Sequence, residues 1–166
     1  MYQMGEYVVY GIHGVCSVAG LEKQLVNRKR TEYLVLEPLN RGESKYYVPT
    51  GNAVAMAKVR PVLTAEEMRA LLASAEVQEG HWIADENQRK QYYRELTGTG
   101  DRVSVLKMVS ALYRYRTEQT AAGRKFHLSD DNFLRDAEKL LVSEIALVLE
   151  MTPEEARDYL RQQLGA

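Results

Sequence analysis

The stretch Val8-Val9-Tyr10-Gly11-Ile12-His13-Gly14-Val15-Cys16-Ser17-Val18 holds the only cysteine of the chain and one of its three histidines. A thiol close to an imidazole is the raw material of a cysteine nucleophile. Such a nucleophile needs a base within hydrogen-bond reach, and a helix N-terminus or oxyanion donors beside it. Here both residues fall in or beside short β-type runs, and no third orienting group follows. Cysteine is also a common small buried hydrophobe. Gly11 and Gly14, on either side of His13, suit a tight turn that needs positive φ. The expectation is strand, turn, strand, with His13 and Cys16 as turn and packing residues. An enzyme using Cys16 stays open as an alternative and would require a thiol of depressed pKa.

Other chemistry is no better supported. His13, His81 and His127 stand singly, none with a second ligand at zinc-site spacing. No G-x-G-x-x-G or G-x-x-x-x-G-K-[ST] pattern occurs, so no phosphate loop is expected. The acid pairs Glu66-Glu67, Asp130-Asp131 and Glu154-Glu155 sit at predicted helix starts, where they favour the positive end of the dipole. They read as caps, not as catalytic carboxylates. No catalytic residue, metal or cofactor is assigned.

Trp82 is the only tryptophan. It precedes Ile83-Ala84-Asp85-Glu86-Asn87-Gln88-Arg89-Lys90-Gln91, a mostly polar run with little apolar stripe to pack under. A Trp in that setting can stay partly exposed, and an exposed Trp beside basic residues can contact bases or wedge a base step. Residues 89–125 carry nine Lys/Arg against three Asp/Glu, a local excess hidden by a whole-chain net charge of −1. Basic clustering of this kind suits phosphate contacts or a solvated helical face.

Two kinds of element must position these residues. Over 1–62 the pattern is β-type: Tyr7 to Tyr10, a run from Val15 to Val18, Tyr33 to Leu36 before Pro38, Tyr46 to Val48 before Pro49, and Ala57 to Val62. Asn27 to Arg30 and Asn40 to Glu43 are polar connections of hairpin length. A small, strongly bent antiparallel sheet or barrel is predicted. After Pro61 the period becomes helical. Thr64-Ala65-Glu66-Glu67 is a capping box ahead of Met68, Leu71 and Leu72. A loop with Gly80 leads to Trp82 and a helix through Leu96, broken by Thr97-Gly98-Thr99-Gly100-Asp101. A helix with Val103, Leu106, Val109, Leu112 and Tyr113 follows, ended by Gly123. Ser129 is expected to cap the next helix, and Thr152-Pro153-Glu154-Glu155 opens the last.

The predicted class is therefore α+β in two modules, a β module over 1–62 and an all-α module over 63–166. Hydrophobic residues make up 45% and charged residues 27% of the 166-residue chain, ordinary for a soluble globular protein. No apolar run reaches the ~18 residues of a membrane span. No signal peptide is recognised, and a single cysteine fits a reducing cytoplasm.

The segment Gly5-Glu6-Tyr7-Val8-Val9-Tyr10-Gly11-Ile12-His13-Gly14-Val15 is similar to the opening of the bacterial CarD/CdnL family, where Gly-Asp-x-Val-Val-Tyr-Pro-x-His-Gly-Val-Gly precedes a strand. Thr31 to Glu37 and Lys45 to Pro49 match that module's third and fourth strands. Trp82, an Arg-bearing helix, the Gly-Thr-Gly-Asp turn and the run Leu128 to Ala146 match its helical half. The resemblance spans residues 4–149. It implies a Tudor-like module that binds the β subunit of RNA polymerase, shared with the transcription-repair coupling factor. It also implies a helical module that binds promoter DNA at the upstream edge of the bubble, largely without reading sequence. Carried over, Trp82 is a minor-groove wedge that stabilises the open complex, with Arg89 and Lys90 as phosphate contacts. Gln24, Val26 and Tyr47 are the polymerase-binding positions. Gly11 stands where the family has Pro, and Cys16 where it has Gly. Gln24 and Tyr47 stand where some relatives are basic, and Arg28, Lys29 and Arg30 are another source of positive charge. Trp82 to Gly100 is about one helical turn longer than in some relatives. The implied protein is a non-enzymatic, nucleoid-associated cytoplasmic regulator, expected as a monomer and without a membrane partner. A protein-interaction adaptor that does not bind DNA, with Trp82 packed inside, is the alternative.

Overall fold

The computed structural model describes residues 2–40 and 42–165. The chain divides into two compact units, Met1–Val62 and Leu63–Ala166.

The first unit is a five-stranded antiparallel sheet: β1 (Tyr7–Tyr10), β2 (Val15–Val26), β3 (Lys29–Pro38), β4 (Tyr46–Pro49) and β5 (Val59–Pro61), in the order β4-β3-β2-β1-β5. Val8, Cys16, Val18, Leu34, Leu36, Val48 and Val59 form its core. A single 3-10 turn, Gly11–His13, joins β1 to β2. Gly11 at φ +48° and Gly14 at φ +82° supply the left-handed backbone that this reversal needs. The β2–β3 hairpin is longer than the sequence suggested. β2 continues through Glu22-Lys23-Gln24, which lack the β-branched signal, because β3 pairs with it all the way to Val26 opposite Lys29. Only Asn27 and Arg28 form the turn, both with positive φ, as a two-residue primed hairpin requires. A short helix α1 (Ala53–Ala57), capped by the Asn52 side chain, takes Ala57, the first residue of the expected fifth strand, which begins at Val59.

The second unit is helical: α2 (Ala65–Ala73), α3 (Ala75–Gln78), α4 (Glu86–Thr99), α5 (Arg102–Ala121), α6 (Leu128–Val148) and α7 (Pro153–Gln163). Both capping boxes form, at Thr64 with Glu67 and at Thr152 with Glu155. The Thr64 backbone and side chain hydrogen-bond the Glu67 carboxylate, holding it below its ordinary pKa. α4 runs through Gly98 and stops at Gly100, whose φ of +65° makes the left-handed cap. Ser129 caps nothing: α6 starts one residue earlier, with His127 at the N-cap position.

Two buried ion clusters tie the helices together. Glu144 accepts from Arg102 at 2.7 and 2.8 Å and from the Leu63 amide at 2.9 Å, so α6 grips both α5 and the start of the unit. Glu138 meets Arg157 and Arg161 of α7. Among the described residues no helix is long and apolar enough to cross a membrane.

Candidate nucleic-acid interface

Trp82 lies in the segment between α3 and α4. That segment is pressed onto α5 by Gly80, where an added Cβ would stand 2.0 Å from the Lys107 carbonyl oxygen. Arg114 of α5 donates to the Gly80 carbonyl and pins the strap from outside. Two residues on, the indole stacks on Tyr115 of α5, with ring centroids 3.5 Å apart and planes within 15°. The Arg89 guanidinium lies 4.2 Å from the indole centroid. Trp82 is half-buried, packed against the helical core but not sealed within it.

Arg89 corrects the sequence reading. It was expected to meet phosphates, but it is only 2% exposed. Its Nε and one terminal nitrogen donate to the two carboxylate oxygens of Asp130, at 2.8 and 2.9 Å. The other terminal nitrogen donates to the carbonyls of Ile83 and Ala84, at 3.0 and 3.4 Å. Burial opposes the guanidinium charge, but hydrogen bonding and attraction to Asp130 outweigh it, and the pKa is raised. A side chain with all its donor groups engaged inside the protein is not a surface cation. Asp130, read from sequence as a helix-start acid, is fully buried as its partner.

Lys90 is on the surface and pairs with Glu86 one turn back, at 3.3 Å. Lys90 lowers the Glu86 pKa, first by hydrogen bonding and then by attraction; burial opposes this, and His127 and Arg89 add lesser attraction. The basic stripe is thus partly answered by acids: Arg89 by Asp130, Arg102 by Glu144 and Lys107 by Glu76, each from another element, and Lys90 by Glu86 of its own helix. Arg94, Arg124 and Lys125 are exposed and have no ion-pair partner among the described residues. The last two lie in the loop between α5 and α6, whose Phe126 ring is 6.3 Å from Tyr115. Sequence reasoning missed Tyr115 and the parts that Gly80 and Asp130 play at this site. The Tyr115 ring is two residues beyond the α5 apolar repeat, and nothing local marks it as the platform for Trp82.

In the β unit, the register brings Gln24, Val26 and Tyr47 to one face. They stand opposite Thr31, Lys29 and Val35 of β3, which alternate with the core residues Leu34 and Leu36. Tyr47 is 44% exposed, lies on the terminal strand β4, and meets Tyr33 edge-on at 6.2 Å. Val26 is exposed as well. Arg28, at the hairpin tip, and the neighbouring Lys29 and Arg30 are exposed too.

Cys16 does not have the setting of an activated thiol. It is fully buried, and its thiol is pushed up to about 11 by burial and secondarily by Glu43. His13 is exposed, with its ring against Tyr46 and Tyr10 at 4.5 and 5.1 Å. A buried thiol raised in this way lacks the depressed pKa that a cysteine enzyme would require. Among the described residues no group of three His, Cys, Asp or Glu is placed to hold a metal ion.

Comparison with known families decides the identity. Residues 2–62 match the CarD-like/TRCF RID domain, and residues 67–161 match the CarD C-terminal domain. The chain belongs to the CarD family. The CarD-family assignment makes it an RNA polymerase-interacting transcription regulator, with the RID domain as the part that binds the polymerase β subunit. CarD-family proteins are non-enzymatic regulators.

Proposed function

We propose that this CarD-family protein stabilises the open promoter complex by touching upstream promoter DNA with Trp82 while its β unit holds the polymerase. The observation that carries the proposal is the mounting of Trp82. The chain's only indole is half-buried on an aromatic platform, in a basic neighbourhood, with its backbone braced from two sides. A ring held this way loses little further freedom on binding, which favours insertion at a distorted minor-groove step.

On the polymerase side, β4 ends the sheet and offers an unpaired edge for strand addition, with Gln24, Val26 and Tyr47 on the adjoining face. Main-chain hydrogen bonds supply affinity there, and the side chains supply selectivity. On the DNA side, Lys90 is the retained phosphate contact, Arg124 and Lys125 join it, and Arg89 moves from phosphate contact to internal brace. These contacts hold the backbone without reading sequence. Weak DNA affinity suffices, because polymerase binding raises the local concentration of the second contact. A base–aromatic contact of about 1–3 kcal/mol shifts an open–closed equilibrium by roughly five- to more than a hundred-fold.

An adaptor without DNA binding would need Trp82 sealed in the core, whereas the residue is only half-buried. The test is Trp82→Ala on a promoter whose open complex is short-lived. The variant should bind polymerase like the parent and shorten open-complex lifetime. An unchanged lifetime with binding intact refutes the wedge.

A further inference from the structure

We propose that Asp130 is a positioning residue for Trp82, acting through the plane of the Arg89 guanidinium. The inference rests on the reading that Trp82 is the DNA-contacting group, and it adds the device that aims the ring. The argument is geometric. A guanidinium is a rigid planar fork, so a carboxylate that takes two of its donors fixes its orientation as well as its position. Asp130 takes Nε and one terminal nitrogen. The remaining terminal nitrogen then has one direction left, and it meets the carbonyls of Ile83 and Ala84, the two residues after Trp82. The same plane comes to 4.2 Å from the indole centroid. One buried group thus holds the Trp82 ring through its π face and the Trp82 segment through its backbone. Asp130 sits in the first turn of α6, a different element from the strap and from α4. The aim of Trp82 is therefore referenced to the long core helix rather than to its own loop.

A lone structural staple would need only the ion pair. The two further bonds to the Trp82 segment and the cation over its ring are what a staple does not require. Lysine at residue 89 would keep the charge but lose the fork, so Arg89→Lys separates the two roles.

The test uses the fact that Trp82 is the only tryptophan, so selective excitation of indole fluorescence reports this one site. Two variants are compared with the parent in the full chain. Arg89→Met with Asp130→Asn removes both charges and leaves none unpaired in the interior, and Arg89→Lys keeps an ion pair. Melting temperature and far-ultraviolet circular dichroism report the fold; acrylamide quenching reports the indole. Both variants should keep helical content while the docked-to-undocked ratio of the ring falls about tenfold, since each loses the fork and its two hydrogen bonds to the Trp82 segment. Quenching should rise accordingly. Open-complex lifetime should fall toward that of Trp82→Ala. Unchanged quenching in whichever variants fold overturns the proposal. So does raised quenching with parental lifetime when Trp82→Ala itself shortens it. If Trp82→Ala has no effect on lifetime, the wedge reading fails, and the quenching result alone decides whether Asp130 positions the ring.

Discussion

A methyl group at residue 80 probes the mounting of Trp82 without touching any charge. In Gly80→Ala the new Cβ would stand 2.0 Å from the Lys107 carbonyl oxygen, 2.9 Å from its carbonyl carbon and 3.1 Å from the Ala111 Cβ. The nearest atoms are helix backbone, which cannot rotate away. The strap must lift by about 1 Å merely to bring that contact to the 3.0 Å limit of real Cβ atoms. Overpacking costs about 1–3 kcal/mol, and backbone neighbours place this case at the upper end. For a unit of this size, ~3 kcal/mol lowers Tm by on the order of 10 °C or more. The lift also pulls Trp82 away from Tyr115, so indole emission and quenching should change together with the melt. Gly98→Ala is the control. Gly98 lies within α4 with nothing within 4 Å of an added Cβ, so the change should stabilise by about 0.5–1 kcal/mol through helix propensity. Thermal melts followed by circular dichroism and indole fluorescence read both variants. The steric reasoning is refuted if Gly80→Ala melts within about 2 °C of the parent with unaltered fluorescence.

Two further outcomes are expected. With its pKa pushed up to about 11, Cys16 should carry roughly a hundredth of the thiolate of a free thiol at neutral pH, so iodoacetamide should label the native protein slowly and at a rate tied to unfolding. The sign for stability follows: a raised folded pKa favours the neutral thiol, so this contribution is present below about 9 and is lost as pH rises through about 11. Urea titrations at both ends of that window check it, and a loss of the same size in Cys16→Ser would contradict the assignment. Neutralising Lys90, Arg124 and Lys125 together should weaken promoter-DNA binding and flatten its salt dependence by about three counter-ions; an unchanged slope places the phosphate contacts elsewhere.

What was legible in the sequence was what is local. The capping boxes at Thr64 and Thr152 involve residues three apart, and both formed as read. The Gly11–Gly14 reversal announced itself through glycine chemistry. Short elements were missed for want of a period: α1 and α3 span 5 and 4 residues, too few for an apolar stripe to repeat. The far half of β2 was missed because Glu22-Lys23-Gln24 are strand residues only through pairing with β3. The Trp82 site was half legible. Trp82 stood out as a lone indole before a polar helix. Its supports did not, because Arg89 and Asp130 are 41 residues apart, and each has a plausible local role, a surface cation and a helix-start acid. Burial and pairing across that separation are tertiary facts. They turned a supposed phosphate contact into an internal brace and left the surface charge to Lys90 and the α5–α6 loop.

The most direct test of the central claim puts a photocrosslinking side chain at position 82 and irradiates the assembled complex of this protein, RNA polymerase and promoter DNA. The account predicts a crosslink to promoter DNA at the upstream edge of the bubble, and none from the same group placed at exposed position 54 in α1. Crosslinks from position 82 to polymerase alone, or to no partner while the complex remains assembled, would contradict it.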